Sequence, residues 1–322
     1  MAIFIVGALL LSCGYFFTLA PNKNDPKEQF YEVKKGISTR DLAADLQEKN
    51  FIRSYWLFFL YLKYRRAKIQ AGIYQLSPSY NLSKQLQILI AGPKEEVVTF
   101  PEGYTLREMA ELLEKKNLVK KEDFLTVASA AKDFVSEFPF LSAVQTNSLE
   151  GYLFPDTYRF TLGMSAFEII RKMLTNFDQK VNLPLSPQIQ QQKYTLNEVL
   201  ILASIVEREA KNDAERPKIA AVYLNRLEKK MKLEADPTVA YAKGSWAPIT
   251  AADYRNVDSP YNTYKYFGLP PTPIANPGLS SIQAVLRPAS FSALYFFHTK
   301  TGEIIFSETA QEHLAKQKEY LK

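Results

Sequence analysis

Cysteine and histidine are scarce in this 322-residue chain, which contains one cysteine and two histidines. A structural zinc site needs about four cysteine or histidine ligands, and a disulfide needs two cysteines. The chain therefore supplies neither by itself. Cys13 lies in an apolar run, and no cysteine–histidine pair is placed for nucleophilic catalysis. Any chemistry must rest on carboxylates, hydroxyls or lysines.

Glycine is also sparse, at 12 residues, and the chain lacks the low hydrophobicity and high charge of disordered proteins. Hydrophobic residues make up 47% of the sequence and charged residues 23%, which is typical of a globular protein. The net charge of +6 suits nucleic acid, a phospholipid surface or an anionic cell-wall polymer, or reflects scattered surface lysines. No basic helix with interleaved aromatic residues accompanies this charge, so we expect no nucleic-acid partner.

The N-terminal segment has no charged residue from Ala2 to Ala20. As a helix this run would span roughly 28 Å, about the thickness of the hydrocarbon core of a bilayer. We expect a retained transmembrane anchor over residues 1–21; the alternatives are a cleaved signal peptide and, from a loosely lipobox-like sequence, a lipoprotein. The lysines after the run would by themselves place that side in the cytoplasm. Large domains translocate largely regardless of such charge, so we expect the remainder outside the cytoplasm.

An internal repeat appears when the sequence is aligned with itself so that Gly36 falls on Gly103. Each copy reads as a strand, a turn and a short helix, with a Ser or Thr cap at the start of the helix and an Asn at its end. The matched positions are Gly36, Ser38, Arg40, Leu42, Ala43, Leu46, Lys49, Asn50 and Ile52, and Gly103, Thr105, Arg107, Met109, Ala110, Leu113, Lys116, Asn117 and Val119. Such positions explain a fold and do not by themselves indicate a binding site.

Between the two copies, residues 71–76 read as a strand and residues 83–89 as a helix, which gives a first module of roughly residues 28–95. Prolines and a glutamine run predict an exposed connection at residues 182–192.

The most informative helix follows this connection. Thr195 and Glu198 have the spacing of a capping box, so a helix is predicted to begin there and to continue through an almost wholly apolar, buried stretch. Glu207 follows that stretch and is expected to be partly buried. Desolvation raises the pKa of a carboxyl group, as a general acid near neutral pH requires. The alternative is a glutamate at a frayed helix end, or one paired with Arg208 or Lys211.

Loops rich in proline follow a second helix, which Asp213 is predicted to cap with Pro217 in its first turn. Such loops suit a preformed cleft whose aromatic rings stack on sugars and whose polar side chains bind hydroxyl groups, although ordinary connectors look the same. The candidate substrate-binding residues are Glu150, Tyr152, Asp236, Thr238, Tyr261, Asn262 and Tyr264.

Three short patterns occur in the order used by penicillin-binding proteins. They are Ser129-x-x-Lys132, Tyr223-x-Asn225 and Lys300-Thr301-Gly302. We do not favour a serine acyl-enzyme, because the third pattern falls at the tip of a hairpin predicted over residues 294–299 and 303–306, and the second lies within a helix.

Several motifs together resemble those of the endolytic murein transglycosylase family, the YceG-like or MltG-type proteins, in content and order. They are Glu150-Gly-Tyr-Leu-Phe-Pro-Asp-Thr-Tyr158, Ala203-Ser-Ile-Val-Glu207-Arg-Glu209, Val222-Tyr-Leu-Asn-Arg-Leu227, Asp236-Pro-Thr-Val239, Tyr261-Asn-Thr-Tyr264, Gly268-Leu-Pro-Pro271 and Ile274-Ala-Asn-Pro-Gly278. The resemblance covers essentially the whole chain. We expect an α+β fold with an anchor over residues 1–21, a small LysM-like module over 22–96 and a larger mixed α+β catalytic domain over 97–322.

The resemblance implies an endolytic lytic transglycosylase in which Glu207 is the catalytic acid and base and Glu209 is its closest competitor. The implied substrate is the MurNAc–GlcNAc bond of nascent peptidoglycan strands, cleaved with formation of 1,6-anhydro-MurNAc ends and without metal or cofactor. It also implies a single-pass protein of the bacterial inner membrane with a periplasmic catalytic domain and cell-wall synthases as partners. Small departures from the family pattern, at Arg208, Ala210 and Thr272, leave Glu207 untouched.

Two alternatives remain open from the sequence. A peptidoglycan muramidase, which is a hydrolase, needs a second carboxylate roughly 5 to 9.5 Å from the first, a role that Asp236 or Glu150 could fill. A non-catalytic scaffold would bind glycan through the repeated modules and leave it unchanged.

Overall fold

The structure is a computed structural model and describes residue 15, residues 18–144 and residues 146–321. The predicted anchor, residues 1–21, falls mostly outside these residues, as does Cys13. Within the described part of the chain, no helix combines the length and the apolar character needed to cross a bilayer.

The protein has the predicted mixed α+β composition, with short strands and many helices. The strands are β1 (Gln29–Val33), β2 (Gly72–Leu76), β3 (Glu95–Thr99), β4 (Thr157–Thr161), β5 (Tyr295–His298) and β6 (Ile304–Ser307). The α-helices are α1 (Thr39–Glu48), α2 (Tyr55–Arg65), α3 (Leu82–Ala91), α4 (Leu106–Lys115), α5 (Lys121–Ala128), α6 (Ala166–Phe177), α7 (Leu183–Gln190), α8 (Leu196–Glu209), α9 (Arg216–Glu228), α10 (Asp236–Lys243), α11 (Asp253–Asn256), α12 (Leu279–Leu286) and α13 (Ala310–Tyr320). The strands pair as β1–β2, β3–β4 and β5–β6.

The chain divides into two compact units. The first contains the residues up to Val98 together with Arg159–Ser165, and the second contains Thr99–Tyr158 and the residues from Ala166 onward. The domain boundaries predicted from the sequence, 22–96 and 97–322, remain predictions.

The first unit is built around an antiparallel strand pair that encloses two helices in sequence. β1 and β2 pair with Gln29 opposite Leu76 and Val33 opposite Gly72, and α1 and α2 lie between them along the chain. The helices bury apolar side chains in a common core with β2. The buried side chains of this core include Leu42, Leu46, Phe58, Leu62, Tyr74 and Leu76.

Both copies of the repeat adopt the predicted strand, turn and helix, β1–α1 and β3–α4. Ser38 and Thr105 each accept a hydrogen bond from the backbone N–H three residues later, at 3.1 and 3.2 Å. Asn50 and Asn117 end the helical segments with φ of 58° and 55°. These predictions are confirmed because caps and left-handed turns depend on local sequence.

In the second unit, α8 is a buried helix that packs against α9 and α12. Its predicted capping box is confirmed: Thr195 Oγ1 accepts from the Glu198 N–H at 3.3 Å, and the Glu198 carboxylate accepts from the Thr195 N–H at 2.8 Å. Ser204, fully buried, accepts a hydrogen bond from the Ile274 N–H at 3.0 Å. The helix is therefore fixed at its start and at its middle, and its last turn carries Glu207.

Two local predictions were wrong. Asp213 does not cap α9, which begins at Arg216 with Glu215 at the N-cap position; the Asp213 carboxylate instead pairs with the Arg216 side chain. The predicted connection at residues 182–192 is mostly the helix α7. A proline in the first turn of a helix loses no hydrogen bond, so Pro184 does not interrupt α7, and the helix also accommodates Pro187 in its interior.

Candidate active site

The Glu207 carboxylate is held by two donors near the end of α8. Its Oε1 accepts from Arg216 Nη2 at 2.8 Å, and its Oε2 accepts from the Gly278 N–H at 2.9 Å. The side chain is 6% exposed, which confirms the predicted burial. Gly278 is the N-cap residue of α12, so the carboxylate lies at the positive end of that helix. Both contacts stabilise negative charge on Glu207.

Arg216 is the cationic centre of this site. Beyond its bond to Glu207, it donates from Nε to Ser281 Oγ at 2.9 Å and pairs through Nη1 with Asp213. Its Nη2 also lies 3.9 Å from Glu102 Oε2. Burial by itself would lower the pKa of Arg216, but the hydrogen bond and charge of Glu207 outweigh burial and raise it. The guanidinium therefore stays charged between three carboxylates.

Glu102 is a second carboxylate of the site and is 49% exposed. A Cβ added to Gly278 would lie 2.0 Å from Glu102 Cδ, so the Glu102 carboxylate rests directly on the Gly278 backbone and would have to move if residue 278 carried a side chain. The pKa of Glu102 is raised, first by desolvation and then by the negative charge of Glu207, while Arg216 opposes the rise.

A pair of backbone hydrogen bonds positions Glu102 beside the loop that ends at Gly278. The Gly103 N–H donates to Asn276 O at 2.9 Å, and the Asn276 N–H donates to Tyr104 O at 2.8 Å. The fully buried Asn276 side chain also accepts from the N–H groups of Gly151 and Leu153, both at 3.0 Å. Asn276 therefore joins three segments that are far apart in the sequence.

Glu150, a predicted substrate-binding residue, is buried and bonded within the protein. Its carboxylate accepts from the Leu106 N–H at the start of α4 at 3.0 Å, from Asn276 Nδ2 at 3.0 Å and from Tyr241 OH at 3.2 Å. Burial raises the pKa of Glu150 to about 8, and these hydrogen bonds partly oppose the rise. Glu150 and Tyr241 also line a cavity of about 620 Å³, together with Trp246.

Three other predicted residues have their polar atoms engaged inside the protein and are buried. Tyr152 OH donates to Asn197 Oδ1 at 3.1 Å, and Thr238 Oγ1 donates to Ala235 O at 2.7 Å. Asn262 Nδ2 donates to the backbone carbonyl of Val257 at 2.8 Å. These bonds hold loops and helix ends in place, and a role of these residues in substrate binding stays a prediction.

Asp236 and Tyr264 line a separate cavity of about 590 Å³, which Glu209 also lines. Tyr264 OH donates to Asp236 Oδ1 at 2.6 Å, and Tyr223 OH donates to Glu209 Oε1 at 2.9 Å. Burial raises the pKa of Glu209 to about 7, and the Tyr223 hydrogen bond opposes the rise. The remaining predicted residue, Tyr261, exchanges a hydrogen bond of 2.7 Å with the Thr272 hydroxyl.

Three consecutive residues at the end of α8 thus have different surroundings, as the 100° turn per helical residue requires. Glu207 contacts Arg216 and the Gly278 N–H, Arg208 lies 3.7 Å from the ring of Trp246, and Glu209 lines the cavity just described. Of the two glutamates, Glu207 has a cation and a helix N-terminus at its oxygens, whereas Glu209 accepts from Tyr223 OH. The sequence analysis gave no role in the site to Arg216, Gly278 or Glu102. Three features of the sequence could have pointed to them: the first residue of α9, the Pro-Gly pair before α12 and the acidic residue before Gly103.

Comparison with known proteins agrees with the motifs. The profile of the YceG-like family matches residues 31–319. The endolytic murein transglycosylase of Bacillus subtilis (strain 168) is 35% identical over 318 residues, which cover 94% of this chain and 88% of that protein. The endolytic murein transglycosylase of Streptococcus pneumoniae R6 is 30% identical, with coverage of 96% of this chain and 63% of that protein.

A crystal structure of a YceG-like protein from Listeria monocytogenes has a TM-score of 0.64 and 35% sequence identity, and the match covers 90% of this chain and 99% of that one. The site therefore lies in a fold already seen in a solved relative. The chain belongs to the YceG-like family, as its motifs indicated.

Proposed function

We propose that this protein is an endolytic peptidoglycan lytic transglycosylase that cleaves MurNAc–GlcNAc bonds and leaves 1,6-anhydro-MurNAc ends. The observation that carries the proposal is the Glu207 carboxylate held between Arg216 and the Gly278 N–H. Relatives at 35% and 30% identity named endolytic murein transglycosylases support the substrate and reaction class.

In the proposed reaction, protonated Glu207 gives its proton to the glycosidic oxygen as the bond from that oxygen to C1 of MurNAc breaks. The C6 hydroxyl of the same sugar then attacks C1, and the Glu207 carboxylate accepts the hydroxyl proton. The nucleophile is tethered to the reacting carbon, so the step has the high effective concentration of an intramolecular reaction. No water is consumed, and Glu207 regains its proton.

Arg216 and the Gly278 N–H stabilise the carboxylate that Glu207 becomes after it donates its proton. They are already in place, so little reorganisation accompanies the proton transfer. They also fix the direction of both oxygens. Arg216 and Gly278 are therefore positioning residues for the catalytic group.

The second candidate function is a peptidoglycan muramidase, and Glu102 is the observation that favours it. Glu102 and Glu207 lie 3.9 and 2.8 Å from the same Arg216 nitrogen. Their nearest oxygens are therefore closer together than the roughly 9.5 Å at the upper end of glycosidase carboxyl pairs. Glu102 fits the role of second carboxylate better than Asp236 or Glu150, because both of those are bonded elsewhere.

The two functions differ in whether water enters the product. We would digest purified sacculi with the full chain in H₂¹⁸O and analyse the ends by mass spectrometry. The transglycosylase predicts anhydro ends that carry no ¹⁸O. New reducing ends labelled with ¹⁸O would instead establish the muramidase. Binding of glycan without cleavage would indicate a non-catalytic glycan-binding scaffold.

We further propose the cellular setting that the sequence suggested. The order β1–α1–α2–β2 in the first unit supports a LysM-like module. The uncharged run from Ala2 to Ala20 supports a single-pass anchor in the bacterial inner membrane, with the catalytic domain in the periplasm. Cell-wall synthases are the proposed partners, since a strand-cleaving enzyme of this kind would act on new glycan. Protease protection of the second unit in spheroplasts would contradict the periplasmic location.

A further inference from the structure

Helix α2 exposes an apolar and aromatic face on the first unit. Phe58 and Leu62 are buried in the core of the unit. The opposite side carries large side chains that face solvent, and we call them the α2 surface. They are Trp56, Leu60, Tyr61 and Tyr64, which are 62%, 53%, 39% and 86% exposed. Spacings of four residues place Trp56, Leu60 and Tyr64 on one face. A helix in contact with water alone would carry polar residues there.

The sequence that contains the α2 surface carries charge of one sign, and Glu48, just before this stretch, is an acidic residue that lines a pocket with Trp56. Lys63, Arg65, Arg66 and Lys68 are exposed at the end of α2 and just after it. No acidic residue occurs in the sequence between Glu48 and Glu95. The aromatic face therefore lies in a stretch that carries only positive charge, which is complementary to an anionic surface.

The uncharged N-terminal run ends beside the start of this helix. Arg53 donates from Nε to Ala20 O at 2.8 Å and from Nη2 to Pro21 O at 3.3 Å. The next residue, Ser54, is the N-cap of α2. The chain is thus held within the first unit where the run gives way to polar sequence, next to the exposed face.

We propose that the α2 surface lies in the headgroup region of an anionic phospholipid bilayer, beside the point where the N-terminal run enters it. An 11-residue helix is too short to span a bilayer but suits a position in its surface. Tryptophan and tyrosine favour the membrane–water interface, and nearby lysines and arginines bind anionic lipid. The proposal rests on the membrane location proposed above. It implies that the first unit is held against the membrane at a second contact and does not swing freely from its anchor.

Trp56 provides a direct test, because the chain has only two tryptophans. Trp246→Phe leaves Trp56 as the single reporter. We would reconstitute this full-length variant in vesicles of phosphatidylglycerol and phosphatidylcholine with lipids brominated near the headgroup. The proposal predicts a blue-shifted Trp56 emission, quenching of at least twofold by the brominated lipid, and protection from aqueous iodide.

The charge contribution has its own variant and control. Lys63→Glu combined with Arg66→Glu is expected to restore most of the iodide access while the N-terminal run still anchors the chain. Lys84→Glu, an exposed change on α3 in the same unit, is expected to have a much smaller effect. Equal effects of the two changes would overturn the proposed contact.

The proposal is overturned if Trp56 stays open to iodide and is not quenched in vesicles that carry the protein, or if the protein does not float with vesicles. A shift of Trp56 emission by oligomers of β-1,4-linked GlcNAc without quenching by brominated lipid would assign the surface to glycan instead. These fluorescence readings need no catalysis, so they separate this proposal from the transglycosylase function.

Discussion

The two copies of the repeated turn have the same backbone and different surroundings. Gly36 and Gly103 both have φ of 79°. A Cβ on Gly36 would meet no atom within 4 Å, whereas a Cβ on Gly103 would lie 3.5 Å from Glu207 Cγ. The residue before the glycine is Lys35 in the first copy and Glu102 in the second. The turn is therefore a reusable piece of structure, and the chemistry comes from the preceding residue and the helix packed against it.

Arg216 is the cation that contacts Glu207 beside the second copy of the turn, so its removal is expected to have a larger effect than any change in the turn itself. Arg216→Met leaves the Glu207 carboxylate without its cation, and we expect the rate of glycan cleavage to fall roughly 100-fold or more. The rate of release of soluble fragments from sacculi measures this. Arg216→Lys keeps the positive charge but loses the forked geometry of the guanidinium. Its cleavage rate should lie between those of the wild type and Arg216→Met. Near-normal cleavage by a folded Arg216→Met protein would contradict the assigned site.

Glu102 and Lys35 occupy matched positions of the repeat and allow a paired test. Desolvation and then the negative charge of Glu207 raise the pKa of Glu102. Glu102→Gln removes this titrating carboxyl group. We expect roughly a 10-fold loss of activity and a changed alkaline limb of the pH–rate profile, with anhydro ends still formed. Lys35→Gln should behave like the wild type, and equal behaviour of the two variants would exclude Glu102 from the site.

Substitution of the two glycines separates folding from chemistry. Gly36→Ala and Gly103→Ala both place a side chain at positive φ, which costs about 1–2 kcal/mol. Urea denaturation should therefore show similar losses of unfolding free energy. Only Gly103→Ala should also slow cleavage, because the backbone strain falls in the turn that carries Glu102 and lies against Glu207. Equal activity of the two variants at a temperature where both are folded would contradict the view that only the second copy of the turn contributes to the site.

Glu150 gives the second copy a pH dependence of stability. Burial raises its pKa from 4.5 to about 8 in the folded protein. Between these values the folded state binds more protons than the unfolded state, so the free energy of unfolding falls as pH rises from about 4.5 to 8. Glu150→Gln should remove on the order of 1–4 kcal/mol of this fall, measured by urea denaturation at pH 5 and pH 8. Glu122→Gln, an exposed control, should keep the wild-type slope.

The parts of the fold that depend on local sequence could be predicted. The caps at Ser38, Thr105 and Thr195 and the turns at Asn50 and Asn117 follow from the side chains at each position. The burial of Glu207 could also be predicted from the sequence, because this residue follows the apolar stretch of a helix. The Asp213 cap failed because α9 begins only at Arg216, whose side chain pairs with the Asp213 carboxylate three residues before it.

The partners of Glu207 could not be read from the sequence in the same way. Arg216, Gly278 and Glu102 come from three separate segments that tertiary packing brings to one carboxylate. The sequence also cannot tell a polar side chain that binds substrate from one that holds the protein's own loops. Thr238 and Asn262 have the composition expected of a sugar site, yet their polar atoms bond within the protein.

The most direct test of the account compares two glutamates on the same turn of α8. Glu207→Gln and Glu209→Gln make the same chemical change, and the full-length proteins would be assayed on sacculi for the rate of anhydro-MurNAc formation. We predict that Glu207→Gln lowers this rate roughly 100- to 10,000-fold, while Glu209→Gln stays within about 10-fold of the wild type. A large loss confined to Glu209→Gln would contradict the assignment of Glu207 as the acid and base.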